Sequence, residues 1–241
     1  MDELQDFQLT TSNFGFSGIG LQDLGASEYT LVTIAVDRSG SVAGFRDELE
    51  KCVQEVVESC RKSPRADNLL IRLIGFGQNF SEIHGFKDLA SCHVNNYINF
   101  LTIGGMTALT DAVVNGIESM TTYGKTLIDN DYEVNGIFVV ITDGCENNST
   151  NTIKQASKVL ADSINSELLE SLVTILVGVN INDSDVSNSL NAFNTTIGFT
   201  EYVELSNASA KTLAKLAKFV SKSISSQSKS LGTGTSGSLT F

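Results

Sequence analysis

Four stretches of the chain, residues 31–36, 69–76, 137–141 and 172–179, are almost continuously apolar and rich in β-branched side chains. None of them alternates between apolar and polar, which is the pattern of parallel strands buried on both faces. Between them the apolar positions change period. Phe45, Leu49, Cys52, Val53, Val56, Val57 and Cys60 fall on one stripe of a helix, and so do Leu109, Val113, Gly116, Ile117 and Met120. Ile153, Ala156, Val159 and Leu160 form a third stripe, and Leu213, Leu216, Ala217, Val220 and Ile224 a fourth. Strands that alternate with helices predict right-handed crossovers, hence an α/β fold with a doubly wound, mostly parallel central sheet flanked by helices. Residues 80–86 alternate weakly and follow Gly77-Gln78-Asn79 closely, which predicts one antiparallel edge strand. Residues 201–205 read as a last strand before the final helix.

The ends have a different texture. Residues 1–28 are rich in Gly, Ser and Thr, with Phe7, Phe14 and Phe16 as anchors, and read as an N-terminal extension. From Ser225 onward Ser, Gly and Thr dominate, a composition that reads either as a flexible linker or as a second contact surface, independent of the metal, docked through Leu231, Leu239 and Phe241 on this domain, a copy of it or a partner. The expected organisation is therefore an extension over 1–28, a domain over 29–224 and a Ser/Gly-rich tail over 225–241.

Composition narrows the function. Of 241 residues, 16 are Lys or Arg and 28 are Asp or Glu, a formal charge of −12, and the pI is about 4.5. An acidic surface repels phosphate backbones, so nucleic acid is not an expected partner. No apolar run approaches the ~20 residues of a bilayer span, so no membrane partner is expected. The first residues, Met1-Asp2-Glu3-Leu4, lack the cationic and apolar regions of a signal peptide. Cys52, Cys60, Cys92 and Cys145 are scattered, with no C-x-x-C pair. Both features predict a reducing, cytoplasmic setting. With only His84 and His93, zinc sites and Ser-His-Asp triads lack raw material.

The chemistry gathers where strands end. The first apolar run leads into Asp37-Arg38-Ser39-Gly40-Ser41, and the third into Thr142-Asp143-Gly144. In an open α/β sheet, ligands bind at the carboxyl ends of strands where the winding reverses. Between these lies Gly104-Gly105-Met106-Thr107-Ala108-Leu109, a glycine turn entering a helix with Thr107 near its start. Two carboxylates and three hydroxyls, with no nitrogen or sulfur donor, describe a site for a hard cation. Mg²⁺ fits best and Mn²⁺ next, because so few carboxylates leave an open position. Taken singly, each of these residues also suits a helix cap.

D-x-S-x-S, then Thr in a G-G-x-T-A-L turn, then Asp in a strand-ending T-D-G, resembles the metal-ion-dependent adhesion site (MIDAS) of von Willebrand factor A domains, in the same order. The likeness covers roughly residues 29–224. It implies that Ser39, Ser41 and Thr107 are direct or near-direct ligands, that Asp37 and Asp143 act directly or through bound water, and that a partner's Asp or Glu completes the coordination. Met106 separates the glycine pair from Thr107, where many relatives run straight on. Thr110 and Asp111 therefore stand as alternative ligands, although Asp111 also suits the first turn of a helix. Arg38, from the same loop, is a candidate second contact to the partner's carboxylate.

The function expected from this resemblance is that of a noncatalytic protein-binding module, with no enzyme activity. The absence of a signal peptide points to the intracellular bacterial or phage branch, whose members work with MoxR-type AAA+ ATPases or stress systems. Two other classes compete. A Mg²⁺-dependent phosphohydrolase would use Asp37 as nucleophile, but needs a second Asp where Ser39 stands. A phage or virion assembly protein would use the termini for contacts, including contacts between copies in an oligomer.

Overall fold

The computed structural model describes residues 4–12, 14–233, 235 and 241. Strands β1 (Leu4–Phe7), β2 (Phe16–Ile19), β3 (Glu28–Asp37), β4 (Leu69–Phe76), β5 (Ser81–Asp88), β6 (Glu133–Thr142), β7 (Leu172–Val179) and β8 (Glu201–Leu205) form one eight-stranded sheet in the order β1-β2-β5-β4-β3-β6-β7-β8. β4, β3, β6, β7 and β8 are mutually parallel. Helices α1 (Arg46–Arg61) and α5 (Ala210–Lys229) cover one face, and α2 (Leu109–Ile128), α3 (Ile153–Asn165) and α4 (Ser184–Ile197) cover the other. This is the expected mixed α/β, Rossmann-like arrangement. Among the described residues, no helix is long and apolar enough to cross a membrane.

The unbroken apolar runs follow from this layering. On β6, Ile137, Val139 and Ile141 pack towards α1 and α5, while Phe138 and Val140 pack towards α2 and α3. Side chains alternate across a strand, so a strand with a core on each side must be apolar at every position.

Three expectations need correction. β5 is antiparallel to β4 as predicted, but it is not an edge strand, because β2 and then β1 lie outside it. Residues 1–28 are consequently more than an extension. Phe7 stacks on Phe16 at 4.8 Å, Phe16 meets Phe86 edge-on, and Phe86 stacks on Tyr123 of α2. β2 comes so close to β5 that a Cβ on Gly85 would lie 2.0 Å from the Ser17 carbonyl oxygen. Finally, α5 continues to Lys229 with Gln227 and Ser228 fully buried, so residues 225–229 belong to the packed helix and not to a linker. Leu231 is buried and Phe241 meets Phe219 of α5 edge-on; Leu239 lies outside the described residues.

The chain crosses from β3 through α1 to β4 on one side, and later places β6 on the other side of β3. The winding reverses at β3. The crevice that this opens lies at the carboxyl ends of β3 and β6, where Asp37 and Thr142 are the last strand residues.

Candidate metal centre

Asp37 ends β3 with its side chain wholly shielded from solvent. Its Oδ1 accepts the Ser39 amide at 2.7 Å, and its Oδ2 accepts the Thr142 hydroxyl at 2.6 Å. Ser39 Oγ lies 2.9 Å from Ser41 Oγ, and Ser41 Oγ donates to Asp143 Oδ1 at 2.7 Å. One run of hydrogen bonds thus joins Asp37, Ser39, Ser41 and Asp143. It rises from buried Asp37 and Ser39 to half-buried Asp143 and exposed Ser41, so the arrangement opens to solvent on one side.

Thr107 is brought to the same place through the backbone. The Gly104 amide donates to the Arg38 carbonyl at 2.9 Å, and the Gly40 amide to the Gly105 carbonyl at 3.1 Å. Gly105 has φ +81°, and a Cβ there would lie 2.7 Å from Gln78 Cβ. Only glycine suits this turn. Thr107 itself is held by Asn147, which accepts its amide at 2.8 Å and donates to its carbonyl at 3.1 Å. Its hydroxyl has no hydrogen-bond partner among the described residues, while the residue is 3% exposed.

The helix-cap alternative does not describe these side chains. Ser39 precedes a 3₁₀ turn without capping it by its side chain. α3 takes its capping box from Thr152 and Gln155, leaving Asp143 outside that role. Asp111 and Thr110 have surroundings of their own. Both oxygens of Asp111 are engaged by the Thr150 amide and by the Asn151 amide and side chain, at 2.8–2.9 Å. The Thr110 amide is bound to Glu146 and its hydroxyl is buried without a partner. Arg38 donates twice to the Asn79 carbonyl and once to the Thr102 carbonyl, bracing the β4–β5 hairpin against the loop before Thr107.

Electrostatics favour a cation. Burial pushes the Asp37 carboxyl up to about 6 against the opposing hydrogen bonds from Thr142 and Ser39, and the nearby Asp143 adds to the rise. Burial likewise raises Asp143. Two carboxylates held this way resist ionisation until a positive charge joins them. Among the described residues, no three His, Cys, Asp or Glu side chains gather to hold a metal, so a cation here depends on the hydroxyls. Octahedral Mg²⁺ with oxygens at 2.0–2.1 Å places neighbouring ligands about 2.9 Å apart. The 2.7 and 2.9 Å contacts along Ser39, Ser41 and Asp143 have that spacing, and the donor set suits a hard cation.

Sequence reasoning missed Thr142, Glu146, Asn147 and Ser149, which orient this site. Thr142 precedes Asp143 and Glu146 lies three residues after it, but nothing in their spacing shows what they hold.

No family model matches the chain, and no curated protein matches it in sequence. Solved structures do resemble it. The PilB minor pilin from Streptococcus sanguinis shares 14% identity at a TM-score of 0.60, over 83% of this chain and 62% of that one. The pilus adhesin SpaC from Lactobacillus rhamnosus GG shares 11% at 0.59, over 83% and 30% respectively. Proximal thread matrix protein 1 from the mussel byssus, in a structure with a zinc-occupied MIDAS motif, shares 18% at 0.52, over 81% and 45%. The chain thus spans less than two thirds of each neighbour. At these identities the likeness shows the fold.

Proposed function

We propose that this chain is a noncatalytic protein-binding module that captures an Asp or Glu side chain of a protein partner through Mg²⁺ (or Mn²⁺) held by Asp37, Ser39, Ser41, Thr107 and Asp143. The observation that carries this reading is the run of oxygens from Asp37 through Ser39 and Ser41 to Asp143, at the strand ends where the winding reverses. The likeness to a protein with a metal-occupied MIDAS motif supports it. When bound, the cation supplies a Lewis-acidic position for the partner's carboxylate oxygen. Asp37, with both oxygens already engaged, fixes Ser39 from below. Ser41 and Asp143 form the open side, where the partner arrives. Arg38 retains guanidinium N–H groups beyond those used on Asn79 and Thr102, and these are the ones offered to the incoming carboxylate.

The buried, doubly hydrogen-bonded Asp37 is a poor nucleophile, which weighs against the phosphohydrolase alternative. Likeness to a minor pilin, a pilus adhesin and a byssus matrix protein favours adhesion or assembly over service to an AAA+ ATPase. A cytoplasmic location remains part of the proposal on the strength of four free thiols.

The test is a thermal-shift and calorimetric titration with MgCl₂ and MnCl₂. The unmodified chain should be stabilised, by about 2.7 kcal/mol at a hundredfold excess over Kd, whereas Asp37→Ala and Ser41→Ala should show little or no shift. Equal shifts in all three proteins reject the site. Hydrolysis of p-nitrophenyl phosphate that requires both Mg²⁺ and Asp37 would reject the noncatalytic reading.

A further inference from the structure

α2 begins without a cap of its own. Its N-cap residue, Ala108, has no side chain to satisfy the first free amides of the helix. A loop from elsewhere in the sequence does so. Glu146 Oε2 accepts the Thr110 amide at 2.6 Å, and Ser149 Oγ accepts the Asp111 amide at 3.0 Å. Glu146 is itself fastened inside its loop, where Oε1 takes the amides of Asn148 and Ser149 and Oε2 takes the Ser149 hydroxyl. The contact is reciprocal, since Asp111 of α2 accepts the Thr150 and Asn151 amides of the same loop. Asn147 adds the two bonds to the Thr107 backbone.

The loop so fastened starts three residues after Asp143, and the helix end that it caps starts just after Thr107. We propose that Glu146 and Asp111 are positioning residues of the metal centre: their carboxylates clamp loop 146–151 onto the start of α2 and thereby fix Thr107 and Asp143 relative to each other. The proposal rests on the metal reading above and deepens it. A carboxylate is required at Glu146 because four donors converge on its two oxygens. An amide would turn an N–H toward one pair of them.

The experiment measures Mg²⁺ affinity by calorimetry, and metal-free stability by urea unfolding, for the unmodified chain and for Glu146→Gln. A folded Glu146→Gln should bind Mg²⁺ roughly 10–100-fold more weakly, as expected when groups that orient ligands are lost. A role confined to stability would lower the urea midpoint and leave affinity untouched. The coupling is tested on a Thr107→Ala background. If Glu146 acts by placing Thr107, its effect on Mg²⁺ affinity shrinks once that hydroxyl is gone. Should Glu146→Gln not fold, Ser149→Ala removes its bonds to Glu146 and to the Asp111 amide and should still cost about tenfold in affinity. Wild-type affinity in a folded Glu146→Gln, or in Ser149→Ala where that stands in, overturns the clamp. Absence of Mg²⁺ binding by the unmodified chain overturns instead the metal reading, and the clamp's purpose with it.

Discussion

The Thr142 hydroxyl at the end of β6 donates a 2.6 Å hydrogen bond to Asp37 Oδ2 at the end of β3. It also accepts the Gly144 amide at 3.2 Å, so one side chain ties the buried carboxylate to the turn that carries Asp143. Thr142→Val keeps the volume and removes both bonds. The expected outcome is a stability loss of about 1–2 kcal/mol together with roughly tenfold weaker Mg²⁺ binding. Unfolding and titration on the same samples check it, and unchanged affinity would show that Asp37 needs no help from β6.

Arg72 on β4 is 1% exposed and holds the N-terminal segment through an intermediary. Its Nε donates to Glu82 Oε2 at 2.7 Å, while Glu82 Oε1 accepts both the amide and the hydroxyl of Ser17. Its other nitrogens donate to Ser119 and Asn115 of α2, and Asn115 reaches back to Ser12 and the Phe14 carbonyl. Removing the guanidinium takes a donor from Glu82, whose side chain is 23% exposed, and from buried Asn115 and Ser119. Arg72→Ala should therefore cost about 3–5 kcal/mol. Limited proteolysis of that variant should first cut within residues 4–20; a variant as resistant there as the parent would show that the aromatic stack alone holds β1 and β2.

His84 predicts the acid limb of stability. Its Nδ1 faces the Gly85 carbonyl at 2.9 Å, which requires the proton on Nδ1, so Nε2 accepts from the Tyr97 hydroxyl at 2.9 Å. Burial lowers its pKa to about 4. A folded pKa below the unfolded value of about 6.5 means that the unfolded chain takes up a proton first as pH falls. The contribution of His84 to stability is thus full above pH 6.5 and drains away towards pH 4. Between pH 7 and 4.5 the unmodified chain should lose about 2 kcal/mol more than His84→Gln in urea unfolding. Parallel pH profiles for the two proteins would dismiss His84 as the sensor.

Gln227 joins the last turn of α5 to the sheet. Its side-chain amide donates to the Gly136 carbonyl at 3.1 Å and to Ser171 Oγ at 2.9 Å, and its carbonyl accepts from Asn135 at 2.7 Å. Ending the chain at residue 224 strands those buried groups and should cost about 2–5 kcal/mol. Denaturation midpoints equal to those of the full chain would restore the view that residues 225–229 are a linker.

What the sequence determined by itself was whatever depends on residues close together in it. Period and composition fixed the central strands, because a strand buried on both faces has no polar positions to disguise it. The same holds for α1, α2, α3 and α5, each with a continuous apolar stripe. Asp37, Ser39 and Ser41 were legible as a local cluster, and Asp143 through its place at a strand end. β1 and β2 were hidden because each has four residues, too few to show a period. α4 was hidden because Ser, Asn and Thr fill most of its surface and only Leu190, Phe193 and Ile197 are buried. The tertiary structure alone decided that β5 lies inside the sheet, that the serine-rich end of α5 is packed, that Glu146 accepts the Thr110 amide and that Asp111 accepts the Thr150 and Asn151 amides. These last contacts join residues 36–40 apart in sequence. A hydrogen bond across that distance leaves no trace in local pattern, since a carboxylate facing solvent and one facing three amides and a hydroxyl, as Glu146 does, are spelled alike.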